Sequence, residues 1–515
     1  MNIRPVRRLP VLIALVAAPG VAPACAQQLD PAAGAASITP EDIAHRVGVI
    51  AHDSMQGRDT PSPGLDRTAE WVAGEFRRFG LRGGGDDGGF VQRYPLRSVA
   101  LDPERSSLVV GAERLRFGDD LAPLFGEVAE GEAAAELVVV SGDGTLGLGD
   151  RRAVRGRHVA LIPAAGADGV GRGTFRLVAD LRGAGALSVM VADPSDDAVW
   201  AGRAARALRP AVSPGWDEAD SGDGPFLPLL RIRTEALARI VGDRIDLAAL
   251  AARSGASVRV EEVEGAYATL IHRTRRESVS APNVVGILPG SDPLLRDEYV
   301  VLSAHMDHVG IGEPDEAGDS IFNGADDDAS GTAAIVEVAE AMAGLGTAPR
   351  RSTVFLVVSG EEKGLWGSAW YAEHPSVPLD ATVANLNADM VGRNWPDTIV
   401  AIGKEHSDLG RTLERVAAER PELRMTPIDD LWPDERFYFR SDHFNFARRG
   451  VPVLFFFNGT HEDYHGRDDE PDRIDAEKAA RIARLLYWLG LEIANADERP
   501  RWNPESYDRI VTGGR

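Results

Sequence analysis

The sequence predicts an α/β chain: a three-layer α/β/α domain on a mainly parallel, mixed sheet, interrupted by an inserted β-rich module. Three observations carry that expectation. From Ala281 onward, short apolar runs alternate with amphipathic helical stretches, the pattern of a parallel sheet with helical crossovers. The run Thr353 to Val358 is continuously apolar, as a strand covered on both faces must be. Between Gly126 and Glu262, by contrast, brief Val/Ile/Leu/Ala runs are separated by Gly- and Asp-rich turns.

In chain order, residues 1–26 have the layout of a signal peptide. Arg4, Arg7 and Arg8 precede an apolar stretch from Leu9 to Ala22, too short to span a bilayer, and Ala24-Cys25-Ala26 fits a small-x-small cleavage site. Export to a periplasmic or extracellular space is therefore expected, with lipid anchoring through Cys25 as the second choice. Cys25 is the only cysteine, so a mature chain would depend on packing and not on disulfides. The Ala/Pro/Gly-rich residues 27–40 are expected to be disordered. Helical signals follow at Thr39-Pro40-Glu41-Asp42, and again from Asp66 to Phe79, where Ala69, Val72, Ala73 and Phe76 recur on one face.

Residues 27–125 are assigned to the first part of the main domain, 126–262 to the insert and 263–515 to the rest of the main domain. Within the insert, strands are expected at Glu136 to Ser141, His158 to Pro163, Leu187 to Ala192 and Leu227 to Ile232, with a helix from Thr174 to Arg182. In the last part, strands are expected at Asn283 to Leu288, Glu298 to Ala304, Ser352 to Val358, Ala381 to Leu386, Thr398 to Ile402 and Val451 to Phe457. Helices fall at Ala329 to Ala343, Leu365 to Glu373, Leu409 to Arg420 and Ala476 to Ala494.

The formal charge is −23, from 79 acidic and 56 basic residues, which argues against binding nucleic acid or an anionic membrane. No later stretch has the length and apolarity of a membrane span. Oligomeric state is not legible.

Chemistry concentrates in five clusters. His305 closes a predicted strand, with Asp307 placed to hold its second ring nitrogen; read locally, such a histidine is as often a cap as a ligand. His308 reads as a neighbour. Asp326, Asp327 and Asp328 open a helix, and the helix dipole accounts for one or two acids but not easily for three; a cation held by the middle one, Asp327, removes the conflict. Glu361 and Glu362 follow a buried strand, where two uncompensated carboxylates would be costly. Asp389 again follows a strand. His465 and His461 compete for a place in one polar loop. Together these residues supply imidazoles and carboxylates for two zinc ions, plus one spare carboxylate for acid/base work. Three carboxylate ligands fit the charge of such a centre and leave Glu361 to accept a proton.

The set resembles the co-catalytic dizinc exopeptidases that include bacterial leucyl aminopeptidases, aminopeptidase Y and glutamate carboxypeptidase. The matching motifs are Ser-Ala-His-Met-Asp-His, Gly-Ala-Asp-Asp-Asp-Ala-Ser-Gly, Glu-Glu-Lys-Gly-Leu-Trp-Gly-Ser, Asp-Met and Tyr-His. The resemblance implies metal ligands His305, Asp327, Glu362, Asp389 and His465, choosing His465 over His461. It implies one zinc on His305 and Glu362, the other on Asp389 and His465, with Asp327 bridging. Catalytic roles fall to Glu361 as general base, Asp307 as the orienter of His305, and Tyr438 as a group that polarises the scissile carbonyl. Ser441-Asp442-His443 matches a supporting segment of the family, and Met55-Gln56-Gly57-Arg58 with Pro63-Gly64 matches its opening segment. The insert resembles a protease-associated domain. The implied activity is peptide hydrolysis, first as an aminopeptidase, with acids such as Asp429 and Asp430 in the loop from Arg424 to Arg440 able to hold an α-amino group. A carboxypeptidase using Arg440 or Arg393 is the alternative. A single-zinc glutaminyl cyclase and a non-catalytic receptor-like relative are further ones, although the latter would be expected to lose ligands that are all present.

Overall fold

The fold is taken from a computed structural model that describes residues 29–124, 130–163, 171–216, 228–252 and 257–513. The signal-peptide assignment and Cys25 lie outside the described residues. No helix among the described residues is long and apolar enough to cross a membrane.

The main sheet runs, edge to edge, through Thr426–Ile428, Thr398–Ile402, Val453–Phe456, Thr382–Ala388, Tyr299–His305, Ser352–Val358, Thr274–Leu288, Val91–Leu101 and Ala211–Pro214. Its four central neighbours, from Val453–Phe456 to Ser352–Val358, are mutually parallel. The three strands beyond Ser352–Val358 continue antiparallel. Side-chain alternation divides the apolar runs between two cores. Phe355 and Val357 enter one, while Val354, Leu356 and Val358 enter the other. Helices Pro40–Ile50, Pro63–Arg78, Gly331–Ala343 and Ala476–Asn495 cover the first face. Trp366–Glu373 and His443–Ala447 cover the second through Tyr371 and Phe446. The expected three-layer domain is present, and all four parallel strands aim their carboxyl ends at one edge of it.

A second, eight-stranded sheet forms a separate lobe. It is wider than 126–262, because Ser107–Val110, Glu113–Arg116 and Leu121–Pro123 join from the N-terminal side and Arg259–His272 extends past the expected end. Nor is it simply β-rich. Gly131–Ser141, His158–Ile162, Ser188–Asp193 and Leu229–Arg233 are parallel neighbours, and parallel pairing requires crossovers. Helices Arg172–Ala184 and Thr234–Val241 pack on opposite faces: Leu177 and Leu181 meet Val138 and Val140, whereas Leu237 and Ile240 meet Leu137 and Val139. The lobe is also tied back, since Ala211–Pro214 pairs antiparallel with Val91–Leu101 at the edge of the main sheet.

Residues 29–40 are ordered, contrary to expectation. Pro31–Ser37 is a helix capped by Asp30, and Leu29 pairs with Leu345. Small side chains make this docking possible: a Cβ on Gly34 would lie 2.3 Å from the Tyr487 hydroxyl, which itself donates to the Pro31 carbonyl.

Candidate metal centre

The loop 323–330 is where the three consecutive acids are sorted. Asp328 accepts from the backbone N–H groups of His305, Gly331 and Met390 at 3.2, 2.9 and 3.1 Å. Asp326 accepts from Gly392 N–H at 2.6 Å and from the Ser330 hydroxyl at 2.9 Å. Both are therefore occupied in fastening the loop to neighbouring strand ends. Asp469 secures it from outside, accepting from the N–H groups of Asp326 and Asp327. Only the Asp327 carboxylate is left to face His305, His308 and His465. Gly324 sits at φ +56°, and a Cβ there would lie 2.5 Å from the His308 ring.

The donor atoms converge in two sets that share Asp327. In the first, His305 Nε2 lies 3.4 Å from Asp327 Oδ1 and 3.6 Å from Asp389 Oδ1. In the second, His465 Nε2 lies 3.2 Å from Asp327 Oδ2 and 3.0 Å from Glu362 Oε2. His308 joins the second set, with Nδ1 at 2.8 Å from Glu362 Oε1 and 3.6 Å from Asp327 Oδ2. The five ligand residues read from the sequence are thus brought together, but their expected pairing is reversed: His305 goes with Asp389, and His465 with Glu362. Ser352–Val358 and Thr382–Ala388 both flank Tyr299–His305, so strand order does not decide the pairing; the loops after the strands do, turning Asp389 Oδ1 to His305 and Glu362 Oε2 to His465. His308, read as a neighbour, stands within reach of the second set. His461 instead turns to Asp326, at 3.4 Å, outside both sets.

Buried charge explains the tension in this arrangement. Burial disfavours a proton on His305, yet Asp389, Asp307 and Asp327 outweigh it and hold the imidazole well above its ordinary range. Burial likewise opposes ionisation of Asp327, but His305 and His465 keep its carboxyl well below the usual range. His465 is pushed up to about 10, its burial overcome by Asp327 and Glu362. Three carboxylates packed against three imidazoles, with no lysine or arginine ion-paired to those carboxylates among the described residues, form a donor set that suits a pair of zinc ions.

Glu361 lines the cleft beside the first set, together with Met390, Phe437, Arg440, Phe455, Phe457, Thr460 and Tyr464. Burial raises its pKa well above the carboxylate range, helped by Asp389 and Asp442. Asp307 has a double role. Its carboxylate accepts from Glu361 N–H at 3.3 Å and from the Thr60 hydroxyl at 3.0 Å. It also stands 3.6 Å from His305 Nδ1, whose nearer partner is the Asp307 backbone carbonyl at 3.2 Å. Ser441, from the supporting segment, donates to Asp389 at 2.9 Å and receives from Asn387 at 3.1 Å.

Tyr438 does not reach the cleft. Its hydroxyl is buried without a hydrogen-bond partner, and its ring stands edge-on to His406 and His443 in the core below the sheet. The single 3₁₀ turn Phe437–Phe439 directs Phe437 to the cleft and its neighbour inward. Tyr464, stacked on His465 with ring centroids 4.0 Å apart, lines the cleft instead. Sequence reasoning missed Tyr464, Asp469 and Arg58 as site residues. Adjacency to His465 was an available signal for the first, but the others depend on tertiary contacts.

A buried site of histidines and carboxylates at the carboxyl ends of parallel strands defines a metal-dependent hydrolase architecture. Residues 283–489 match the model of peptidase family M28. The chain is similar to a probable zinc metalloprotease of Leptosphaeria maculans, 26% identical over 262 residues, covering 43% of this chain and 59% of that protein. It is also similar to leupeptin-inactivating enzyme 1 of Streptomyces exfoliatus, 26% identical over 213 residues, covering 40% of this chain and 44% of the other. The chain thus spans little more than half, or less, of the length of these curated relatives. Among solved structures, a zinc aminopeptidase from Bacillus subtilis superposes with a TM-score of 0.50 at 16% identity, covering 88% of this chain and 94% of that one, a likeness of fold.

Proposed function

We propose that the chain is an exported dizinc metallopeptidase that removes N-terminal residues from peptides. The observation that carries this reading is the position of Glu361, a carboxylate outside both donor sets that lines the same cleft as His305, Asp327 and Asp389. His305, Asp327 and Asp389 would hold one zinc ion, and Asp327, Glu362 and His465 the other. When bound, zinc supplies Lewis acidity that polarises a carbonyl and lowers the pKa of water. With the charges of Asp389 and Glu362 neutralised by bound cations, the Glu361 carboxyl would ionise, remove the proton of the attacking water and return it to the departing amine. Its backbone is fixed for this by Asp307. Tyr464, kept protonated by burial and by the carboxylates of Asp327 and Glu362, donates a hydrogen bond to the carbonyl oxygen. Phe437, Phe455 and Phe457 offer an apolar side chain its seat.

Export rests on the N-terminal sequence, and aminopeptidase action on the printed names of structural relatives. The identification of the second lobe as a protease-associated domain remains part of this proposal. One observation favours carboxypeptidase action as a second reading: Arg440 lines the cleft. Arg393 has no such place, being paired with Asp463 at 2.8 Å. Hydrolysis of matched peptides with free amine, blocked amine, and free or amidated carboxyl ends separates the two. Cleavage that requires the free amine supports the first reading, and cleavage that requires the free carboxylate replaces it with the second.

A further inference from the structure

We infer that His308 is a fourth protein ligand of the second metal position, binding through Nδ1, so that the centre has one closed position and one open position. This rests on the dizinc reading above. His308, Asp327, Glu362 and His465 each offer one donor atom, all within 4.8 Å of one another. Asp327 Oδ2 lies 3.6 Å from His308 Nδ1 and 3.2 Å from His465 Nε2, on either side of the roughly 3.3 Å edge of a tetrahedron with bonds of ~2.0 Å, and the Glu362 carboxylate reaches both histidines, through Oε1 at 2.8 Å and Oε2 at 3.0 Å. The imidazole is fully buried, and its Nε2 has no partner, so Nδ1 is the nitrogen with work to do. Its ring occupies the space that Gly324 leaves by lacking a Cβ. The first set has only His305, Asp327 and Asp389, a three-donor arrangement that leaves a coordination position free.

The cleft discriminates between the two sets in the same sense. Its lining includes His305, Asp327 and Asp389 but not His308, Glu362 or His465. The open position therefore faces Glu361 and substrate, and the closed one lies outside this cleft. Four protein ligands against three predict unequal affinities, with the closed position filling first.

The test is zinc K-edge absorption fine structure on the full chain loaded with a single equivalent, where scattering counts imidazoles around the metal. Two imidazoles, His308 and His465, are expected for the first equivalent, falling to one in His308→Ala. Chelator competition should show the tighter of two zinc classes weakened at least ~10-fold in His308→Ala, with the weaker class unchanged. A wild-type first equivalent with one imidazole overturns the assignment, and this measurement needs no variant to fold. A chain that binds no zinc at all would instead overturn the dizinc reading, and this inference with it.

Discussion

Arg58 holds no substrate and touches no ligand atom, yet its replacement by methionine should dismantle the metal centre. The guanidinium is fully buried and donates to four backbone carbonyls: Met306 at 2.7 Å, Ile50 at 3.0 Å, Asn323 at 2.6 Å and Gly324 at 2.8 Å. It thereby ties the strand end carrying His305 and His308 to the loop carrying Asp327. Burial lowers its pKa to about 10, opposed by Asp327, Asp307, Asp469 and Asp328, so it remains charged at neutral pH. Arg58→Met keeps the bulk but removes the side-chain donor from four buried carbonyls, of which Gly324 keeps the Ala329 N–H, and leaves four acids without this cation. Hydrogen bonds to a charged donor contribute ~1.5–3 kcal/mol each, but such losses are not additive. A total of ~3–5 kcal/mol is expected, as for breaking other buried charge networks. At ~1 °C per kcal/mol for a chain of 515 residues, the melting temperature of the metal-free protein should fall by ~3–5 °C. Zinc affinity measured by chelator competition should fall with it, by at least ~10-fold. Arg58→Lys restores the charge without the planar fork and should recover only part of either loss. If Arg58→Met melts within ~2 °C of wild type and binds zinc unchanged, the claim that Arg58 assembles the site is wrong.

Glu361→Gln should retain zinc while turnover drops at least ~100-fold, and Glu362→Gln should lose zinc from one position; the opposite distribution in metal analysis would reverse their roles. The two donor sets predict two zinc ions per chain and loss of hydrolysis on chelation, restored by zinc. Elemental analysis of a fully active preparation holding one zinc or none would contradict that count. His272, in the second lobe, has both ring nitrogens buried without partners, and burial depresses its pKa to about 4. A depressed histidine stabilises the fold above its unfolded pKa of 6.5 and loses that contribution as pH falls toward 4, by up to ~3 kcal/mol. Unfolding followed between these pH values should be flatter in His272→Leu, and an unchanged slope would remove His272 from the account.

The three-layer class was legible because patterning reports how many faces of a strand are covered. Thr353 to Val358 is apolar without interruption, and its residues do divide between two cores. The ligand types were legible too, since consecutive buried acids such as Asp326, Asp327 and Asp328 demand partners wherever they fold. Which acid does what was not legible. Sequence spacing cannot say that Asp326 and Asp328 are spent on backbone N–H groups of residues 305 and 392, or that the loop after Thr382–Ala388 turns Asp389 toward His305. His308 was read as a bystander because three residues along a loop carry no direction, whereas the structure turns its Nδ1 toward Glu362. Tyr438 was placed by motif position and is carried into the core by one 3₁₀ turn. The extent of the second lobe escaped as well, because antiparallel pairing of Arg259–His272 with both Gly131–Ser141 and Ser107–Val110 is a long-range choice. Local composition thus determined the element types and the donor chemistry. Pairing of strands and the direction of single side chains came only with the tertiary structure, because both depend on partners distant in the chain.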